Sequence, residues 1–172
     1  MIHHLDHTKF IKSVLETYKP KLYVEFGYSE GETFEVVGPL CEEAHAVDIV
    51  IPYTPNPRLH YHQMTTDHFS KHILPSMGEI DVAFIDADHY SEQVFKDFEN
   101  LFPKVRANGL IMLHDTYPED VRWTTPVNCH DSYRVPNMIK SKYSKEIELI
   151  TLPIAPGLTM IRKVYNPDFM QQ

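Results

Sequence analysis

The sequence is short of the features that mark several whole classes of protein. Its two cysteines, Cys41 and Cys129, lie far apart with no C-x-x-C pair, so a disulfide-stapled secreted framework is excluded and buried free thiols are expected. No stretch approaches the ~18 apolar residues of a membrane span. The opening MIHHLDHTKF has neither the basic start nor the apolar run of a secretory leader. Basic residues are outnumbered, 16 Lys plus Arg against 24 Asp plus Glu, for a net charge of -8; this argues against nucleic acid as a partner. Low-complexity tracts, repeats and linkers are absent too. With 42% apolar and 23% charged residues among 172, the chain has the composition of one soluble, cytoplasmic globular domain over residues 1–172, with no membrane partner.

What is present is an alternation of two periodicities. Phe10, Ile11, Val14, Leu15 and Tyr18 recur at helical spacing after a Thr8 cap, and Pro20 ends that helix. Residues 21–26 form a short apolar run closed by Gly27, and a second helix starts near Thr33. Strands are predicted at 44–50 and 59–64, with a helix over 68–77. Residues 80–87 are a near-continuous apolar run, as expected of a parallel strand covered on both faces. Val94, Phe95, Phe98, Leu101, Phe102 and Val105 share one helical stripe, shortened or kinked by Pro103. A fifth strand is predicted at 109–115, a working loop from Thr116 to about His130, a helix near Ser132 to Tyr143, and a closing hairpin over 146–153 and 157–164. Strands alternating with helices imply right-handed crossovers and a doubly wound, mostly parallel α/β sheet. Ligands of such sheets gather beyond the carboxyl ends of the strands.

Those strand ends carry polar chemistry. EFGYSEGETF puts Gly27 and Gly31 in the first strand-to-helix turn, where a missing side chain lets the backbone approach a ligand. A dinucleotide fingerprint would need G-x-G-x-x-G; here Ser29 stands in the middle position and Glu25 precedes the turn. An acid there repels a phosphate and suits an ammonium or sulfonium. Asp48, at the end of the second strand, is placed to accept both hydroxyls of a ribose. An adenosyl ligand without phosphates fits this set, and an ordinary tight turn with a solvated aspartate is the plain alternative.

EFGYSEGETF, VDIV and DVAFIDADHYSEQVFKDFENLFPKVRANGLIMLHDT together resemble the class I S-adenosylmethionine-dependent methyltransferases, in particular the small-molecule O-methyltransferases that include the macrocin-type sugar enzymes. The resemblance covers nearly the whole chain. It implies a three-layer, Rossmann-like fold with a seven-stranded sheet whose last strand is antiparallel, and metal-assisted methylation of a hydroxyl on a sugar or other small molecule. It implies that Glu25, Gly27, Ser29 and Gly31 hold the methionine end of S-adenosylmethionine, Asp48 the ribose, Thr66 and Asp67 the adenine edge, with Asp86 beside the cofactor. It also implies a homo-oligomer.

The later acids make chemical sense of the same reaction, because a hydroxyl is a weak nucleophile that benefits from a base and a Lewis acid. Asp86, His114 and Asp115 are assigned as ligands of a divalent metal, Mg²⁺ by its taste for oxygen, with the imidazole shifting preference toward a transition metal. Asp88 is assigned as general base and His89 as the second candidate. Capping and solvation of these groups is the structural alternative. Two rival functions stand beside this one: a non-catalytic adenosyl-binding protein, and a metal-dependent oxygenase-like relative of the cephalosporin-hydroxylase type. Of the remaining histidines, His68 and His72 share a helix face, His60 and His62 one side of a strand, and His3, His4 and His7 a terminus; all are read as surface or core-edge residues. Tyr117, Arg122 and Trp123 are candidates to contact an acceptor.

Overall fold

In the computed structural model, which describes residues 6–51, 56–154 and 156–164, helices and strands alternate along the chain. The order is α1 (His7–Tyr18), β1 (Leu22–Phe26), α2 (Phe34–Val37), β2 (Glu43–Asp48), β3 (His60–Gln63), α3 (Thr66–His72), β4 (Ile80–Ile85), α4 (Ser91–Leu101), β5 (Val105–His114), α5 (Val135–Tyr143), β6 (Ile147–Leu152) and β7 (Leu158–Lys163). The seven strands form one sheet in the order β3-β2-β1-β4-β5-β7-β6. β7 runs antiparallel to both β5 and β6, and the remaining neighbours are parallel. This is the doubly wound fold expected, with the antiparallel final strand.

The chain fills the sheet outward from β1 in one direction and from β4 in the other, so the strand order reverses between β1 and β4. A crevice opens at the carboxyl ends of such a pair. All residues of both strands are buried, which explains their continuous apolar runs. Alternate residues feed two cores. Ile11 and Leu15 of α1 and Phe34 and Val37 of α2 pack with Tyr23, Val82 and Phe84 on one face. Phe69 of α3, Val94, Phe98 and Leu101 of α4, and Val135 and Ile139 of α5 pack with Val24, Phe26, Ile85 and Ile111 on the other.

Several boundaries differ from the sequence reading for local reasons. Asp6, rather than Thr8, caps α1, its Oδ1 accepting from the Thr8 amide at 2.9 Å. α2 is a single turn that tightens into a 3₁₀ turn at Gly38-Pro39-Leu40. α3 starts at Thr66, capped by Thr65, and gives way to a 3₁₀ turn at Pro75. Pro103 likewise ends α4 in a 3₁₀ turn, as expected, but Val105 belongs to β5. β2 closes at Asp48 rather than residue 50. No helix among the described residues is long and apolar enough to cross a membrane. His3 and His4 lie outside the described residues.

Candidate active site

The first turn after β1 is built around a backbone contact. Gly27 has φ +96°, and a Cβ there would lie 2.1 Å from the Asp86 carbonyl oxygen, so β1 and β4 leave the sheet too close together for any side chain at this position. Ser29 and Gly31 also take positive φ, +49° and +81°. The turn is held from the side by Asp48, whose Oδ2 accepts from the amides of Tyr28 (2.7 Å) and Ser29 (2.9 Å). Its Oδ1 accepts from the Val50 amide at 3.0 Å, which leaves one lone pair on that oxygen.

Two cavities flank this turn. The first, about 370 Å³, is lined by Glu25, Gly27, Tyr28, Ser29, Glu30 and Glu32 on one side and His7, Asp86, His89, His114 and Asp115 on the other. Glu25 is buried, accepts from the Tyr23 hydroxyl at 2.5 Å, and is pushed well above the usual carboxylate range by its desolvation. The second, about 350 Å³, is lined by Asp48, Ile49, Met64, Thr66, Asp67, Asp88 and Gln93 among others.

At the far wall of the first cavity, β4 and β5 end side by side and bring two imidazole–carboxylate pairs together. His114 Nδ1 lies 3.1 Å from Asp86 Oδ1 and 3.4 Å from Asp115 Oδ1, while His89 Nε2 lies 2.9 Å from Asp115 Oδ2. The ligand atoms of Asp86, His114 and Asp115 all fall within 4.8 Å of one another. Asp115 takes φ +60°. It is pinned by Ser132, whose hydroxyl donates to its carbonyl at 2.7 Å, and by the buried Cys129 thiol at 3.5 Å. Burial opposes charge on Asp115, but the His89 hydrogen bond and both imidazoles hold its carboxyl below the usual range. The same hydrogen bond raises His89. His114 is raised against its own desolvation by Asp86 and Asp115, and its Nε2 is buried without a partner.

The structure therefore brings Asp86, His89, His114 and Asp115 together and leaves Asp88 apart. Asp88 faces the second cavity and its Oδ1 accepts from the Tyr90 amide at 2.8 Å. Thr66 and Asp67 join it on that wall, with Asp67 paired to Lys96 at 2.6 Å. The sequence reading missed His7, whose ring lies 4.1 Å from that of His114 and whose burial lowers its pKa. The signal was legible: His7, Ile11 and Leu15 are four apart on the buried stripe of α1. It missed Glu30 and Glu32 as well. Cys129 is buried as expected and Cys41 is half-buried; both are free. Tyr117 and Trp123 are substantially exposed, Arg122 folds back onto Asp120, and none of the three lines either cavity.

Beneath the second cavity lies Asp97, fully buried on α4, with one carboxylate oxygen accepting from Gln93 at 3.0 Å and the other unpartnered. Desolvation pushes its pKa up to about 7. A folded-state value above that of the unfolded chain, ~3.9, contributes stability below the unfolded value and loses it as pH rises through about 7. Asp97→Asn removes that titration. Its stability advantage over the parent protein should grow by about 2 kcal/mol between pH 5 and pH 8, checked by urea unfolding at both pH values. An unchanged difference would contradict the neutral carboxyl.

Residues 24–116 match the family model described as a methyltransferase domain. A comparison with curated proteins returns no match. Among solved structures, the chain resembles the MycE methyltransferase of the mycinamycin biosynthetic pathway, in complex with Mg and SAH, at 17% identity and TM-score 0.67, covering 91% of this chain and 49% of that one. It thus spans about half the length of MycE. It also resembles the O-methyltransferase TomG from Streptomyces achromogenes, involved in tomaymycin synthesis and in complex with SAM (11% identity, TM-score 0.68, 92% of this chain and 79% of that one). An O-methyltransferase from Bacillus cereus in complex with SAH is similar too (12%, TM-score 0.66, 95% and 84%). The family match takes in most of β1, the glycine turn, Asp48, the lining of both cavities apart from His7, and the cluster at the ends of β4 and β5, and by it the chain belongs to the methyltransferase domain family.

Proposed function

We propose that the protein transfers a methyl group from S-adenosylmethionine to a hydroxyl of a sugar or other small molecule. The observation that carries this reading is a glycine turn that lines one cavity and is braced by Asp48, a carboxylate that lines the other. The adenosyl end occupies the second cavity, with a ribose hydroxyl donating to the free lone pair of Asp48 Oδ1 and the adenine edge against Thr66 and Asp67. The amino-acid end lies over Gly27, Ser29 and Gly31, with Glu25 beneath. The acids of the first cavity other than Glu25, whose burial favours its neutral form, favour a cationic ligand and oppose a pyrophosphate. Bound in this way, the cofactor supplies an electrophilic methyl group on a sulfonium.

The neighbouring cluster fits a divalent ion. An imidazole 3.1 and 3.4 Å from two carboxylates, all three within 4.8 Å of one another, has the spacing of ligands around one metal at ~2.1 Å. Asp86, His114 and Asp115 would hold it, Mg²⁺ or a transition metal, and the ion would lower the pKa of the acceptor hydroxyl. His89 lies in the same cavity as this group, so the proton leaving the hydroxyl is assigned to the His89 imidazole, whose Nε2 donates to Asp115 at 2.9 Å, and Asp115 stabilises the imidazolium. The base role moves here from Asp88, which faces the other cavity. Mass spectrometry of a panel of hydroxylated acceptors incubated with methyl-labelled cofactor, with and without Mg²⁺, tests the reading. A labelled methyl ether is the expected product. Label recovered only on nitrogen or sulfur acceptors would overturn the assignment of a hydroxyl.

A further inference from the structure

We propose that Glu43, His45 and His60 form a second metal site, for a divalent first-row transition ion such as Zn²⁺, at the opposite end of the sheet from the methyltransferase cavities. His45 of β2 and His60 of β3 are register partners. Both therefore project from the same face of the sheet, near the amino-terminal ends of their strands. Asp48 stands three residues beyond His45 along β2, roughly 10 Å away at the rise of a strand. The ligand atoms of Glu43, His45 and His60 all lie within 4.8 Å of one another.

The arrangement has the hierarchy of a built metal site. His45 is the fixed member, with its side chain 8% exposed. Its Nδ1 lies 2.9 Å from Nε2 of His62, and His62 packs edge-on against the fully buried Phe69 at 4.9 Å. With Nδ1 committed to this chain of contacts, the ring is oriented and its Nε2 is aimed at Glu43 Oε1, 2.8 Å away. Metal-bound histidines are held by their second nitrogen in the same manner. The His60 ring lies nearly parallel to that of His45, centroids 4.6 Å apart at 15°, and is exposed, as is Glu43. Two imidazoles and one carboxylate leave a fourth position open to water. This donor set suits Zn²⁺, Co²⁺ or Ni²⁺ and is a poor match for Mg²⁺, which prefers oxygen. An ion there would tie the edge strand β3 to β2 at the end where the connection from residue 49 to 59 returns.

The test separates this site from the cluster at the ends of β4 and β5. In an Asp86→Asn/Asp115→Asn background, where Asn at 115 tolerates the left-handed backbone, Co²⁺ titration should still show one equivalent bound. The spectrum should carry the intense visible absorption of a four-coordinate ion, unaffected by excess Mg²⁺. His60→Gln or Glu43→Gln in that background should weaken binding at least 10-fold. As a second measure in the otherwise unaltered protein, Zn²⁺ should raise the melting temperature, and His60→Gln, an exposed substitution, should reduce that rise by at least half. No Co²⁺ uptake in the silenced background, or uptake that survives both His60→Gln and Glu43→Gln within twofold, would overturn the proposal.

Discussion

Gly27→Ala should destabilise the protein by about 3–5 kcal/mol and abolish cofactor binding. Two costs combine. A φ of +96° is strained for any residue with a Cβ, and the added methyl would lie 2.1 Å from the Asp86 carbonyl oxygen and 2.7 Å from the Ala87 nitrogen. Both are backbone atoms and cannot turn aside. Relief requires the ends of β1 and β4 to separate, which pulls Asp86 away from His114 and the turn away from Asp48. Gly78→Ala is the control, because nothing lies within 4 Å of its Cβ position; it should change stability by no more than ~0.5 kcal/mol. Urea unfolding of both variants makes the comparison. Equal stability of the two would show that the turn opens freely, and the tight approach would then have no part in shaping the crevice.

The second large effect falls on turnover. His89→Asn should lower kcat by about 10²–10⁴ while leaving S-adenosylhomocysteine affinity within twofold. The ring touches Asp115 and lines the first cavity, whereas the adenosyl end is assigned to the second. Asp115→Asn should fall as far, since it removes both the partner of His89 and one of the three proposed metal ligands. The double variant should be no worse than about the poorer single, because residues acting as one unit lose their function together. Losses that instead multiply would separate the two roles. A full rate in His89→Asn would return the proton to another acceptor, and Asp88→Asn, expected here to change kcat by less than threefold, would identify it.

Much of this site is legible in the sequence. The glycine turn, Asp48 and the polar ends of β4 and β5 follow from a strand-and-helix alternation whose ligand end is known once the strands are parallel. What was hidden depended on contacts that periodicity does not carry. Beyond Ile85 the chain leaves the strand, and the side faced by Asp88 as against His89 is set by the turn that Tyr90 closes onto Asp88 and by the contact of Gly27 with Asp86. The fifth strand is predicted from Gly109, yet β5 begins at Val105 and runs through Asn108-Gly109. Asn108 takes φ +61°, and the pairing with β4 shifts register between Ile80 and Val82, as at a bulge. The grouping of Glu43, His45, His60 and His62 depends on the register between β2 and β3, which alternation alone leaves open. His7 is obscured in the sequence by standing near a terminus among other histidines, although its spacing to Ile11 and Leu15 sets it on the buried face of α1.

Calorimetric titration with S-adenosylhomocysteine bears on the central claim most directly, that a phosphate-free adenosyl ligand spans the two cavities across Gly27 with its ribose on Asp48. The account predicts one molecule bound per chain, no measurable binding of a dinucleotide, and at least a 100-fold loss of affinity in Asp48→Ala, about 2.7 kcal/mol. An absence of heat with the unaltered protein, or Asp48→Ala binding as tightly as its parent, would contradict it.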